Sequence, residues 1–187
     1  MNKKHYSLPR TFTLLNEDFD RYLEGNRNPV VIIFKFFHNS GMIFSLFFRL
    51  QQYFQYHNWL LLRIIGYTSY PFYFFVTYYV LSYHIEPDVQ VDGGLLLHNK
   101  SIVIANCVII GKNASIMGDV TIGTGFVPNH FKIQIGNNIR IGSGAKIITK
   151  GRLDIVDNVT IGANAVVVKS ILKSGVYAGV PVKRISK

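Results

Sequence analysis

The chain has 187 residues, 49% of them apolar and 16% charged, which excludes a disordered or collagen-like polymer and allows one good-sized core or two unequal parts. Lys and Arg number 20 against 10 Asp and Glu, a formal charge of +10 that favours anionic partners such as a phosphorylated cofactor or an acidic membrane surface. No helix-turn-helix or zinc spacing is visible, so nucleic acid is not an expected partner.

Cys107 is the lone cysteine, which rules out an intramolecular disulfide and suits a reducing compartment. Lys3 and Lys4 are followed by no apolar run of the secretory kind, so the expected location is the cytoplasm.

In chain order, residues 1–29 are polar and end at Pro29. Val30 to Leu50 is apolar, interrupted by Lys35, His38, Asn39 and Arg49, and reads as helical. From Ile64 to Tyr83 there are 20 residues without a formal charge, flanked by Arg63 and long enough to cross a bilayer. Six of them are tyrosines and Pro71 lies among them, so many hydroxyls would sit better at a wet interface than in hydrocarbon. A packed helical subdomain or oligomer interface is the first reading. Peripheral attachment at the inner face of the membrane is the second, and a true span the third.

The composition changes near residue 84, dividing an aromatic-rich, helical region (1–83) from a second domain (84–187). Beyond that point aliphatic residues recur every six positions: Ile85, Val91 and Leu97; Ile104, Ile110, Ile116 and Ile122; Ile135, Ile141 and Ile147; Ile155, Ile161 and Val167. A period of six fits a solenoid whose short strands each turn one aliphatic residue inward before a tight corner. An ordinary β-sandwich is the competing reading. Gly and Asn, as in Ile135-Gly136-Asn137-Asn138, suit corners that need positive φ.

Three slips interrupt the period. Leu97 to Ile104 carries His98, Ile122 to Ile135 carries His130, and Ile147 to Ile155 holds Lys150 and Arg152. Departures from a solenoid's period are where loops leave the coil and chemistry can be placed.

These residues carry a resemblance. Ile85-Glu86-Pro87, Gly94-Leu95-Leu96-Leu97-His98, Asp119-Val120-Thr121-Ile122-Gly123, His130-Phe131-Lys132-Ile133, Ile141-Gly142-Ser143-Gly144-Ala145-Lys146-Ile147 and the tail Ala178-Gly179-Val180-Pro181-Val182-Lys183 follow one another in order. Together they resemble the serine acetyltransferase-like branch of the hexapeptide acyltransferases. The resemblance implies a mainly β fold, a C-terminal left-handed parallel β-helix behind an N-terminal α-helical segment. It also implies trimers or multiples of them, and acetyl-CoA as donor.

By the same resemblance His98 is the general base and His130 lies at the same cleft, across a subunit interface. Gly144, Ala145 and Ala163 would line the pantetheine arm, and Lys183 or Arg184 would meet CoA phosphates. A positioned imidazole suits acetyl transfer to a hydroxyl, because a poor nucleophile must lose its proton as it attacks.

Serine-specific members have an aspartate before the I-x-P segment and another before the catalytic histidine, where this chain has His84 and Leu97. A serine ammonium thus lacks its expected partners. The first expectation is therefore a sugar hydroxyl of a capsular or other surface polysaccharide, with L-serine as the alternative. A metal-dependent or non-catalytic hexapeptide protein is the remote third. A three-histidine zinc site would need more than His98, His130 and the bordering His84, so no metal is expected.

Overall fold

The computed structural model describes residues 6–124 and 132–186. From Tyr83 onward the chain winds into a left-handed parallel β-helix of five coils. Coil one holds β1 (Tyr83–Ile85), β2 (Gln90–Val91) and β3 (Leu96–Leu97). Coil two holds β4 (Ile102–Ile104), β5 (Val108–Ile110) and β6 (Ser115–Ile116). Coil three holds β7 (Thr121–Thr124), β8 (Ile133–Ile135) and β9 (Arg140–Ile141), and coil four β10 (Lys146–Thr149), β11 (Leu153–Ile155) and β12 (Val159–Ile161). Coil five has β13 (Val166–Val167) and β14 (Gly175–Ala178), with Ile171 bridging to Ile155, and β15 (Lys183–Ser186) folds back antiparallel on β14.

Stacking the coils gives three sheets: A from β1, β4, β7, β10 and β13; B from β2, β5, β8 and β11; C from β3, β6, β9, β12, β14 and β15. The six-residue period becomes columns of inward side chains. Ile85, Ile104, Ile122, Ile147 and Val167 stack along A; Val91, Ile110, Ile135 and Ile155 along B; Leu97, Ile116, Ile141 and Ile161 along C. All are buried. Corners use the left-handed backbone at Ser101, Asn113, Asp119, Asn138, Asn158 and Asn164. Three of these are tied into a ladder along one corner, where Asn113 Nδ2 donates to Asn138 Oδ1 (3.0 Å) and Asn138 Nδ2 to Asn158 Oδ1 (3.1 Å).

Coil one has no strand above it, so its outward-running N–H and C=O groups need other partners. Helices supply them. α1 (Leu8–Leu23) starts at Ser7, whose side chain accepts from Arg10 N, α2 (Pro29–His38) starts at Asn28, which caps Val30 N, and α3 (Ser40–Tyr56) follows after a 91° bend. From α3, Gln52 Nε2 donates to the carbonyls of Pro87 (3.1 Å) and Val89 (2.9 Å). Arg49 donates to those of Val91 (2.8 Å) and Asp92 (3.1 Å). From α1, Asp18 Oδ1 accepts from Leu95 N (2.8 Å) and Tyr22 Oη from Leu97 N (2.8 Å). Tyr73 Oη donates to Ile85 O (2.6 Å). Phe44, Phe48, Tyr73 and Leu81 continue the apolar core of the coils upward, so helices and solenoid share one core.

α4 (Leu60–Phe74) runs antiparallel to α3 and continues as a π-turn over Phe75–Val80. Gly66 brings it close to α3, where an added Cβ would lie 2.7 Å from Gln55 N. Only Gly66, Tyr73 and Thr77 are buried along this rod; Trp59, Leu60, Leu61, Phe72, Phe75 and Tyr79 are exposed, as are Val30, Ile33, Phe34 and Phe37 of α2. Among the described residues no single helix is long and apolar enough to cross a membrane; α2 and α3 together reach that length and composition but are bent.

Asp18 and Arg49 are both fully buried, 2.8 Å apart. Burial raises the Asp18 carboxyl pKa, while Arg49 and the Leu95 and Gly94 amides pull it down. Removing one partner strands the other charge, so Asp18→Asn is expected to cost about 3–5 kcal/mol of unfolding free energy in a urea titration. A loss under about 1 kcal/mol would show that this pair does not hold the cap on coil one.

Candidate active site

His98 follows the inward Leu97 at the end of β3 and so faces out, where sheet C turns toward sheet A. Its amide donates to Ile116 O (3.0 Å), and its Nε2 lies 3.0 Å from Ser115 Oγ. Ser115, at an outward position of β6, is covered to 9% exposure.

In register below His98 come Met117, Gly142, Gly162 and Ala178, each of the first three donating its amide to the next coil. Three of these four residues are small. A Cβ on Gly142 would come within 2.6 Å of Ala163 N, so glycine is required there for the coils to close up. Below the exposed Met117, the result is a stripe of small residues, Gly142, Gly162 and Ala178, running down this corner.

Gly144, at φ 74°, and the exposed Ala163 flank this stripe at the same corner. Ala145 does not line it. Its position lies two residues before the inward Ile147, and strand alternation turns it into the solenoid interior, where it is fully buried and packs the core. Lys183 pairs with Ala178 in the β14–β15 hairpin and so stands at the foot of the stripe. Arg184 is held elsewhere, donating to Ser174 O (2.7 Å). His130 lies outside the described residues. Leu97 is 2% exposed in the core, and His84 stacks on Tyr78 with ring centroids 4.5 Å apart. Neither position supplies a carboxylate.

On the outward face of sheet C, along the asparagine corner and across the sheet from His98, a cleft of about 510 Å³ is lined by Arg21, Asn113, Asn138, Arg140, Asn158 and Thr160. Arg21 overhangs it from α1, its Nη1 3.4 Å from Gly94 O. Arg140 lies directly below Ser115 in the pairing of β6 with β9, and Thr160 below Arg140. Partial burial lowers the His98 pKa below the ordinary histidine value, and the Arg21 charge lowers it further. The neutral imidazole is therefore retained to lower pH than in an ordinary histidine. Ser115, Arg21 and Arg140 were not among the residues singled out from sequence. Ser115 and Arg140 occupy outward hexad positions, where the period tolerates any residue, and Arg21 belongs to a segment that reads only as polar.

No family model matches the chain. Among curated proteins it is 35% identical over 108 residues to serine acetyltransferase of Staphylococcus xylosus, covering 57% of this chain and 49% of the relative. It is 32% identical over 111 residues to that of Helicobacter pylori strain J99, covering 58% and 64%. The chain is similar to serine acetyltransferases. It spans about half the length of the curated relatives it matches.

Solved structures agree in fold. Neisseria gonorrhoeae serine acetyltransferase superposes with a TM-score of 0.77 at 24% identity, over 97% of this chain and 68% of that one. Brucella abortus serine acetyltransferase in complex with coenzyme A does so with 0.77 at 23%, over 96% and 69%. The likeness extends across both the helices and the coils.

A histidine NMR titration should place the His98 pKa below the ordinary 6.5 and show it rising in Arg21→Met, since a nearby positive charge is removed. An unchanged value in the variant would mean that Arg21 does not act on the ring.

Proposed function

We propose that this chain transfers an acetyl group from acetyl-CoA to an acceptor hydroxyl, with His98 as the general base. The observation that carries this is an outward histidine, hydrogen-bonded to Ser115 and with its pKa lowered, above a file of small residues at the same corner. The neutral ring keeps one nitrogen lone pair, and that nitrogen is the basic atom. It takes the hydroxyl proton as the acceptor oxygen attacks the thioester carbonyl. Collapse of the tetrahedral intermediate breaks the carbon–sulfur bond, and the departing CoA thiolate recovers the proton from the imidazolium.

The stripe suits an extended thioester arm, because Gly142, Gly162 and Ala163 let it approach the backbone. Lys183 at its foot suits a phosphate. The complex of the Brucella protein with coenzyme A supports the same donor. Trimeric assembly, with His130 contributed at the same cleft, belongs to this proposal.

The relatives favour L-serine as the acceptor over the sugar hydroxyl first expected from the sequence. A saccharide is the second reading because His84 is stacked on Tyr78 and Leu97 is in the core, leaving no carboxylate at either position to meet an ammonium.

Thiol release from acetyl-CoA with L-serine should fall by about 10²–10⁴-fold in His98→Ala, the usual worth of a general base. Turnover that survives the substitution would remove His98 from the chemistry. Ala163→Trp should raise the Kd for CoA without lowering the melting temperature; unaltered CoA binding would place the arm elsewhere.

A further inference from the structure

We infer that Arg21 and Arg140 form an anion-binding subsite across sheet C from His98, which selects acceptors carrying a carboxylate or phosphate close to the reacting hydroxyl. The inference rests on the acetyl-transfer reading and names the class of acceptor for that site. Arg140 is exposed and lies one strand below Ser115, about 4.8 Å along the stack, and Ser115 touches the His98 ring. Neither His98 nor Ser115 lines the cleft itself, so an acceptor whose hydroxyl meets His98 would extend past Ser115 to place its anionic end on the Arg140 guanidinium. Arg21 approaches the same cleft from α1 and is steadied by Gly94 O.

Among the described residues neither cation has an ion-pair partner, whereas acids nearby are matched. Glu17 pairs with Lys112 (3.8 Å), Asp92 with Arg10 (3.7 Å) and Asp18 with Arg49 (2.8 Å). Among the described residues no carboxylate lines the cleft. Two guanidiniums converging on one cleft repel each other, and an anion between them relieves the repulsion while accepting paired N–H bonds. The wall opposite is the Asn113–Asn138–Asn158 ladder, whose amides are fixed by their mutual hydrogen bonds. With carboxylates missing at 84 and 97 and arginines present at 21 and 140, the site reads the negative end of an acceptor and ignores a positive one. L-Serine would be held by its carboxylate alone, and a sugar acid equally well.

The test is calorimetric titration of the full chain, saturated with CoA so that no turnover occurs, using matched probes. These are L-serine, L-glycerate and serinol; glucuronate and glucose; glycerol 3-phosphate and glycerol. Each anionic probe of the matching class should bind at least about tenfold more tightly than its neutral twin, and L-glycerate as well as L-serine. Arg21→Met and Arg140→Met should each weaken that binding by about tenfold and leave CoA affinity unchanged. Whether the carboxylates or the phosphate bind best identifies the group recognised.

Neutral probes binding as tightly as anionic ones would overturn the inference. So would variants that lose affinity for CoA instead, since the arginines would then serve the cofactor's phosphates. Failure of the unaltered chain to bind CoA at all is a different result, and it sinks the acetyl-transfer reading itself.

Discussion

The first coil of a β-helix ends in an open strand edge, and the rest of this molecule depends on how that edge is closed. A buried carbonyl or amide without a partner costs about as much as a lost hydrogen bond, and coil one presents a full circuit of them. Side chains from α1, α3 and α4 meet this circuit on all three sides: Tyr73 over sheet A, Gln52 and Arg49 over sheet B, Asp18 and Tyr22 over sheet C. The buried ion pair is tolerated because both charges also bind backbone groups that have no alternative. Closing the edge also builds the site. Asp18 fixes the rotation of α1, and so sets where Arg21 and Tyr22 point; Tyr22 then holds both backbone groups of Leu97, the residue before His98.

The solenoid was legible because one inward aliphatic residue per strand makes its period countable, and the slip at His98 falls where the chain leaves sheet C for sheet A. The helical cap was far less so. The buried residues of α1 include Leu14, Asp18 and Tyr22, spaced four apart but mixed in polarity, so residues 1–29 look merely polar. Arg49 reads as a break in an apolar run, whereas it is a buried donor whose place is set by the coil it caps. The continuous helix expected from Val30 to Leu50 is split at Asn39, which closes α2 and opens α3.

Ala145 shows how parity can mislead when size alone is read. A small residue near a corner suggests a groove, but it lies an even number of positions from Ile147 and must share its inward face. Gly142 and Gly162, which do line the stripe, differ from the inward Ile141 and Ile161 by one position and therefore face out. Arg140 and Ser115 escaped notice for a related reason. Outward residues obey no hydrophobic rule, so their meaning comes only from the neighbours that stacking gives them.

That stacking has a consequence for how such a site changes over time. Leu96, Ser115, Arg140 and Thr160 form one outward file on sheet C, a single residue from each coil, while the residues beside them in the chain fill the core. Leu96 packs against the helical cap and Ser115 holds the His98 ring, but Arg140 and Thr160 can be exchanged without disturbing the core columns, so the electrostatic character of this face is open to drift while the scaffold stays constant. Proteins of this shape can diverge in what they accept through one or two outward substitutions, long before their inward columns lose their resemblance to one another.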